Sequence, residues 1–203
     1  LEKAAALLDE AGWQDTNGNG IRDKGGTEMK VLFTTSVNPV RQKTQEIVKQ
    51  ALGKLGIETE LKSVDASIFF DSEPANTDNT GHFYADLMMF TTGNESPDPT
   101  SYMGYYLCDQ ISQKSNQWST DNVSRYCNPE YDALYAQVVK ETDPKKREEL
   151  FINMNDFLIK DVAVMPIIHR AQPSAASLTL EDVEISPWDE EPWRIMNWKR
   201  KQV

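Results

Sequence analysis

The sequence is short of basic residues, of histidine and of long apolar runs. Its 203 residues hold 21 Lys and Arg against 32 Asp and Glu, a formal charge of −11. Nucleic acids and anionic lipid surfaces are met by clustered Lys and Arg, so this balance argues against both as partners. No stretch approaches the roughly 18 apolar residues that a membrane-spanning helix needs. The segment therefore does not itself insert into a bilayer.

Catalytic signatures are equally thin. There is no G-x-S-x-G, no H-E-x-x-H and no phosphate loop, and Gly18, Gly20, Gly25 and Gly26 do not space as a dinucleotide fingerprint. His82 lies in a polar stretch and His169 follows an apolar one. A lone histidine in either setting is more often structural or solvated than catalytic. Pairs of Asp and Glu say little in so acidic a chain. The chain reads as a non-enzyme, with a hydrolase domain as the alternative from another class.

Only two cysteines are present, Cys108 and Cys127, and they lack the paired spacing of a zinc site. Two readings stay open: buried thiols, or a disulfide closing the polar stretch from Asp109 to Tyr126. That stretch has few apolar residues to hold it down. A bridge of this span contributes about 3 kcal/mol in the chain-entropy model and belongs to an oxidising compartment.

Helical and strand patterns fill most of the remainder. Leu1, Ala4, Ala5, Leu8 and Ala11 share one helical face, so the chain opens inside a helix and reads as a fragment or processed product. Val31 to Thr35 predicts a buried strand. Asn38-Pro39 starts a helix whose inner face is Thr44, Ile47, Val48, Ala51, Leu52 and Leu55, closed by Gly56. Ile57 to Ser63 alternates with period two, and strand-helix-strand with short links predicts a parallel pair. A short helix is expected over Ala66 to Asp71, a strand over Ala85 to Thr92 and a helix over Thr100 to Leu107. Two further helices start at Asn128-Pro129 and Asp143-Pro144. Their inner faces are Tyr131, Leu134, Tyr135, Val138 and Val139, then Leu150, Phe151, Met154, Phe157 and Leu158. Ala163 to Ile168 reads as a last strand, with Pro166 near its edge or end. The fold class is α/β, a mixed sheet with packed helices.

Two loops stand out. In Gln14 to Asp23, oxygen-bearing side chains fall at Asp15, Asn17, Asn19 and Asp23, with Gly20 between. This resembles the first nine positions of a calcium loop, but the twelfth falls on Gly26, which offers no ligand side chain. A calcium ion on these four residues and a set of Asn-Gly turns are the two readings. The other loop follows the strand at Ala85 to Thr92. Thr91, Thr92, Gly93, Asn94, Glu95 and Ser96 concentrate polar groups where a strand ends, which is where open α/β sheets gather ligands.

Several segments together resemble the C-terminal lobe of family 5 extracellular solute-binding proteins. They are ALLDEAGWQDTNGNGIRDKGG before a strand, DLMMFTTGNESPDPTSYMGYYLC, and a helix pair carrying Asn122, Ser124, Tyr126, Tyr131, Asp132, Leu134, Asp143, Arg147 and Pro166. A terminal PWRIMNWKR completes the order. The family implies a two-lobed, periplasmic-binding-protein-like (type II) receptor that closes on a ligand and delivers it to the permease subunits of an ABC importer, needing no cofactor. Residues 1–203 would then be the C-terminal lobe, with 170–203 a tail returning to an N-terminal lobe outside this chain. The protein would act outside the cytoplasm, in the periplasm or at the cell surface, with any signal or lipid anchor in that missing part. The resemblance also implies that Cys108 and Cys127 are bridged. Peptide-binding relatives place an Asp in the strand-end loop against the ligand's ammonium; here the aligned residue is Asn94, with Glu95 beside it. That departure leaves short peptides as the first ligand class and sugars, opines or metal chelates as alternatives.

Overall fold

The structure, a computed structural model, describes residues 1–93, 96–169, 173–186 and 189–201. The chain divides into two compact units, Leu1–Thr92 with Tyr105–Asn128, and Gly93–Gly104 with Pro129–Val203.

In the first unit, helix α1 (Glu2–Glu10) leads through the polar loop to a hairpin of β1 (Asp23–Lys24) and β2 (Thr27–Glu28). Strand β3 (Lys30–Ser36) follows, then helix α2 (Pro39–Gly53), strand β4 (Glu58–Val64), helix α3 (Ala66–Phe69) and strand β5 (Leu87–Met89). Strands β4, β3 and β5 lie in that order, all parallel, with Val31 opposite Thr59 and Phe33 opposite Leu87. The α/β reading holds, and among the described residues antiparallel pairing is confined to separate two-stranded pieces and one isolated bridge, Gln14 with Asp23.

Local chemistry sets the boundaries. Asn38 caps α2 by accepting from the N–H groups of Val40 and Arg41, and Pro39 follows at a position that needs no N–H. Gly56 takes φ +75° after the helix, and a Cβ there would lie 3.0 Å from the Arg22 side chain. Asp65 caps α3 through the N–H of Ser67. Phe33, Ile57, Val64, Phe69 and Tyr106 form the buried apolar set of this unit.

Three details differ from the sequence reading. Ile47 is 60% exposed, while Gln45 is buried. The rest of the predicted stripe, Thr44, Val48, Ala51, Leu52 and Leu55, is half-buried, so the inner face of α2 keeps its place and gains Gln45 where Ile47 was expected. Gln45 is tolerated because its Nε2 donates to the Phe33 carbonyl at 2.8 Å, which satisfies a buried amide. Strand β5 stops at Met89, which is opposite Thr35, one residue before β3 itself ends at Ser36. In β4 the alternation breaks at its end, with Ser63 exposed and Val64 buried.

The second unit holds α4 (Thr100–Gly104), α5 (Pro129–Val138), α6 (Pro144–Lys160) and an antiparallel pair, β6 (Leu180–Glu181) with β7 (Lys199–Arg200). Asp143 caps α6 through the N–H groups of Lys145 and Lys146. Tyr131 and Val138 of α5 and Met154 and Leu158 of α6 are buried, at about 1.5–3 kcal/mol for each such side chain removed from water. Val139 lies outside that face and is exposed. Helix α4 ends at Gly104, short of the predicted Leu107.

The strand expected over Ala163 to Ile168 does not form. Val162 takes φ +56° and the Ala163 N–H bonds back to the Leu158 carbonyl. Beyond it no described strand pairs with the segment, Pro166 has no N–H to offer, and Met165, Ile167 and Ile168 are exposed.

Candidate functional site

The carboxyl edge of the parallel sheet is built by β3, α2 and β5. The Thr35 hydroxyl donates to the Met89 carbonyl at 2.6 Å, tying the two strand ends together. One turn into α2, Arg41 reaches back over that edge. Its Nη1 donates to the Ser36 hydroxyl at 2.5 Å and its Nη2 to the Thr91 hydroxyl at 3.1 Å. The guanidinium lies 5.8 Å from the centre of the Phe70 ring. Both of these hydrogen-bond partners are neutral, and among the described residues no carboxylate pairs with Arg41. A guanidinium carries five donors in a planar fork suited to carboxylates, so donors remain for an anion.

The polar stretch singled out in the sequence is divided by the two units. Thr91 and Thr92 are exposed at the end of the first. Gly93 and Ser96 are exposed in the second, where the Ser96 hydroxyl accepts from the Asp98 N–H at 3.2 Å. Asn94 and Glu95 lie outside the described residues. Arg41 was missed by sequence reasoning. Its signal was position: three residues after an N-cap, on the helix that leaves a parallel strand, a side chain must sit near the strand's carboxyl end.

Asp98 anchors the far side of that stretch within the second unit. One oxygen accepts from the Thr100 N–H and hydroxyl, and the other meets Arg147 at 2.5 Å. The Thr100 bonds first, and then the Arg147 charge, hold the Asp98 carboxyl below its ordinary range. Arg147 also donates to the carbonyls of Val138 and Glu141, closing the end of α5.

Cys108 and Cys127 are joined in a disulfide. The polar chain between them is held by more than this bond. Asn122 is 1% exposed, and its amide donates to the carbonyls of Leu107 and Tyr126 while its oxygen accepts from Tyr126 N–H and the Ser124 hydroxyl. Trp118 stacks on His82 with ring centres 4.0 Å apart. Arg125 donates to the His82 carbonyl and the Ser112 hydroxyl to that of Gly81. A Cβ at Gly81 would lie 2.5 Å from the Trp118 carbonyl, so only glycine allows this approach. His82 and Trp118 are thus packing residues.

In the 15–23 loop the oxygens read as calcium ligands all face the loop's own donors. Asp15 accepts from the N–H groups of Gly18, Asn19 and Gly20. Asn17 accepts from Asn19 N–H, and Asn19 from Ile21 N–H. Asp23 is buried and takes the N–H and hydroxyl of Thr16. Among the described residues no group of three His, Cys, Asp or Glu side chains converges for a metal.

Residues 1–114 match the family model of bacterial extracellular solute-binding proteins, family 5 (middle region). The chain belongs to this family. Di/tripeptide-binding protein 3 of Pseudomonas aeruginosa is 26% identical over 191 residues, 92% of this chain and 31% of that protein. The oligopeptide-binding protein AppA of Bacillus subtilis, solved with a nonapeptide, superposes with a TM-score of 0.70 at 24% identity over 99% of this chain and 37% of AppA. NikZ of Campylobacter jejuni, solved with Ni(L-His), gives 0.73 at 15% identity, covering 98% and 38%. The family 5 chain therefore spans about a third of the length of such relatives, and it has the fold of type II periplasmic binding proteins. No described helix is long and apolar enough to cross a membrane.

Proposed function

We propose that this family 5 chain is the C-terminal lobe of a receptor that binds short peptides outside the cytoplasm and passes them to ABC permease subunits without chemical change. Arg41 carries the reading: a cation with spare donors at the carboxyl edge of a parallel sheet suits a ligand carboxylate. The names of the peptide-binding relatives support the ligand class. Residues 170–203 would be the tail returning to the N-terminal lobe, and the anchor, if lipid, would precede that lobe.

In the same proposal Glu95 faces the ligand's ammonium, with Asn94, Thr92 and Ser96 as neutral partners. This rests on the carboxylate standing one residue from the aspartate of peptide-binding relatives. A metal chelate is the second reading, favoured by the likeness to NikZ. A resident calcium ion is not part of the proposal, since the three N–H groups on Asp15 would have to give way to it.

Calorimetric titration of the intact receptor with free, N-acetylated and C-amidated peptides tests the assignment. Loss of one hydrogen bond to a charged group costs about 1.5–3 kcal/mol of affinity. Glu95→Gln should remove that amount for free peptides and nothing for acetylated ones, and Arg41→Met should do the same with amidated ones as the insensitive class. Peptide affinity unchanged in both variants, or binding of metal chelates alone, would sink the peptide reading.

A further inference from the structure

The sequence contains two Asn-Gly dipeptides, and they are adjacent: Asn17-Gly18-Asn19-Gly20. Asn-Gly is the pair most prone to spontaneous rearrangement, because glycine puts no side chain in the way of its own nitrogen. That nitrogen, once deprotonated, bonds to the Asn side-chain carbonyl carbon. The bond to the side-chain nitrogen breaks and ammonia leaves. Water then opens the five-membered ring at either carbonyl, giving aspartate or isoaspartate. Both pairs are exposed, so water and hydroxide have free access.

The two nitrogens that would attack are Gly18 N and Gly20 N, and one carboxylate holds both. Gly18 N–H donates to Asp15 Oδ1 at 2.8 Å and Gly20 N–H to Asp15 Oδ2 at 2.9 Å. We propose that Asp15 is a chemical lock on a latent double modification site. Two effects act together. Each N–H must give up its hydrogen bond to the carboxylate before its nitrogen can lose the proton and turn on the side chain, and a negative charge beside each nitrogen opposes the amide anion that would attack. The side chains are restrained as well. Asn17 Oδ1 accepts from Asn19 N–H at 3.0 Å, and the Asn19 amide donates to Glu28 Oε1 at 2.6 Å.

An open lock would be felt beyond the loop. Isoaspartate adds a methylene to the main chain and a charge beside Asp15 and Asp23. The loop leads into Arg22, whose guanidinium joins the carbonyls of Trp13 and Leu55 at 2.5 and 2.7 Å. This inference is independent of the ligand.

The test is site-resolved mass spectrometry of the intact protein during long incubation at mildly alkaline pH, with isoaspartate detected by enzymatic methylation. Native protein should convert at both pairs at least about tenfold more slowly than the same protein in urea, since each nitrogen is freed only by local opening. Asp15→Ala should raise the native rate at both pairs towards the urea rate. Asp15→Asn, which keeps one acceptor oxygen and the loop's size, should raise it at one or both. Amide exchange at Gly18 and Gly20 of the unaltered protein should be protected, a reading that needs no variant to fold. Equal rates in native and urea-treated protein, unprotected amides at both glycines, or folded Asp15 variants as slow as the parent would each overturn the lock.

Discussion

Two polar stretches of the first unit, 14–23 and 108–127, are ordered by opposite means. Neither has a large apolar side chain buried in its interior, and each must satisfy main-chain groups without a regular ladder. The first gathers its N–H groups onto two carboxylates, Asp15 and Asp23. The second gathers carbonyls and an N–H onto one neutral amide, Asn122, and closes with a disulfide. Charged acceptors near water make short bonds, but their hold depends on charge. A buried amide depends on geometry alone and fails completely when removed. The second stretch is therefore the one where a single substitution should do most damage.

Asn122→Ala should have the largest effect. It strips partners from the Leu107 and Tyr126 carbonyls and from the Tyr126 N–H, and a buried group left unsatisfied costs about 1–3 kcal/mol. The expected loss is about 3–5 kcal/mol in urea unfolding, among the larger values for one residue. A loss below about 1 kcal/mol would mean that water replaces the amide and that the comparison is wrong. Reduction of Cys108–Cys127 comes next, at about 3 kcal/mol from chain entropy alone. If reduction costs far more than this, the bond supports the Asn122 network rather than adding to it. Asp23→Asn in the first stretch should cost about 1–2 kcal/mol, because the shape and one acceptor oxygen survive while the charge on the Thr16 bonds is lost. An equal loss at Asp23 and Asn122 would erase the contrast between the loops.

The sequence made the helices and the parallel pair legible, because periodicity and caps are local. Asn38, Asp65 and Asp143 each cap the helix that follows. It failed where partners are distant. Nothing in the α2 pattern says that Gln45 will find the Phe33 carbonyl, so Ile47 looked the better inner residue. An apolar run at Ala163 to Ile168 reads as a strand until one asks which strand pairs with it. The cysteine loop looked in need of a staple, yet its main fastening is an asparagine whose four bonds involve Leu107, Ser124 and Tyr126. Of the candidate site, the sequence offered the polar stretch after β5 with Glu95 as its charge, but not the cation on α2. Arg41 had only its position after the Asn38 cap as a signal, and its bonds to Ser36 and Thr91 appear once α2 is folded back over the sheet edge.

The smallest expected effect tests the second stretch through its contact with His82. Asn79 Oδ1 accepts from the His82 N–H and lies 2.9 Å from Nδ1. Because the Asn79 amide nitrogen is engaged with the Glu73 carbonyl, Nδ1 carries the proton and Nε2 is the nitrogen that titrates. Burial, and secondarily the Arg125 charge, lowers the His82 pKa from its ordinary 6.5. The rings of Trp118 and Tyr84 lie against the imidazole, and among the described residues no carboxylate pairs with it to favour the charged form. In the unfolded chain the imidazole takes up a proton as the pH drops through 6.5, while in the folded chain it resists. This contribution to stability is present above 6.5 and declines as the pH falls towards the folded value. His82→Asn keeps a donor near the Nδ1 position and cannot titrate. Urea midpoints at about pH 7.5 and about pH 5.5 should therefore fall more steeply in the parent than in the variant, with carboxylate titration common to both. Identical slopes would show that the Trp118 stack admits a proton freely, and that the second stretch is as responsive to charge as the first.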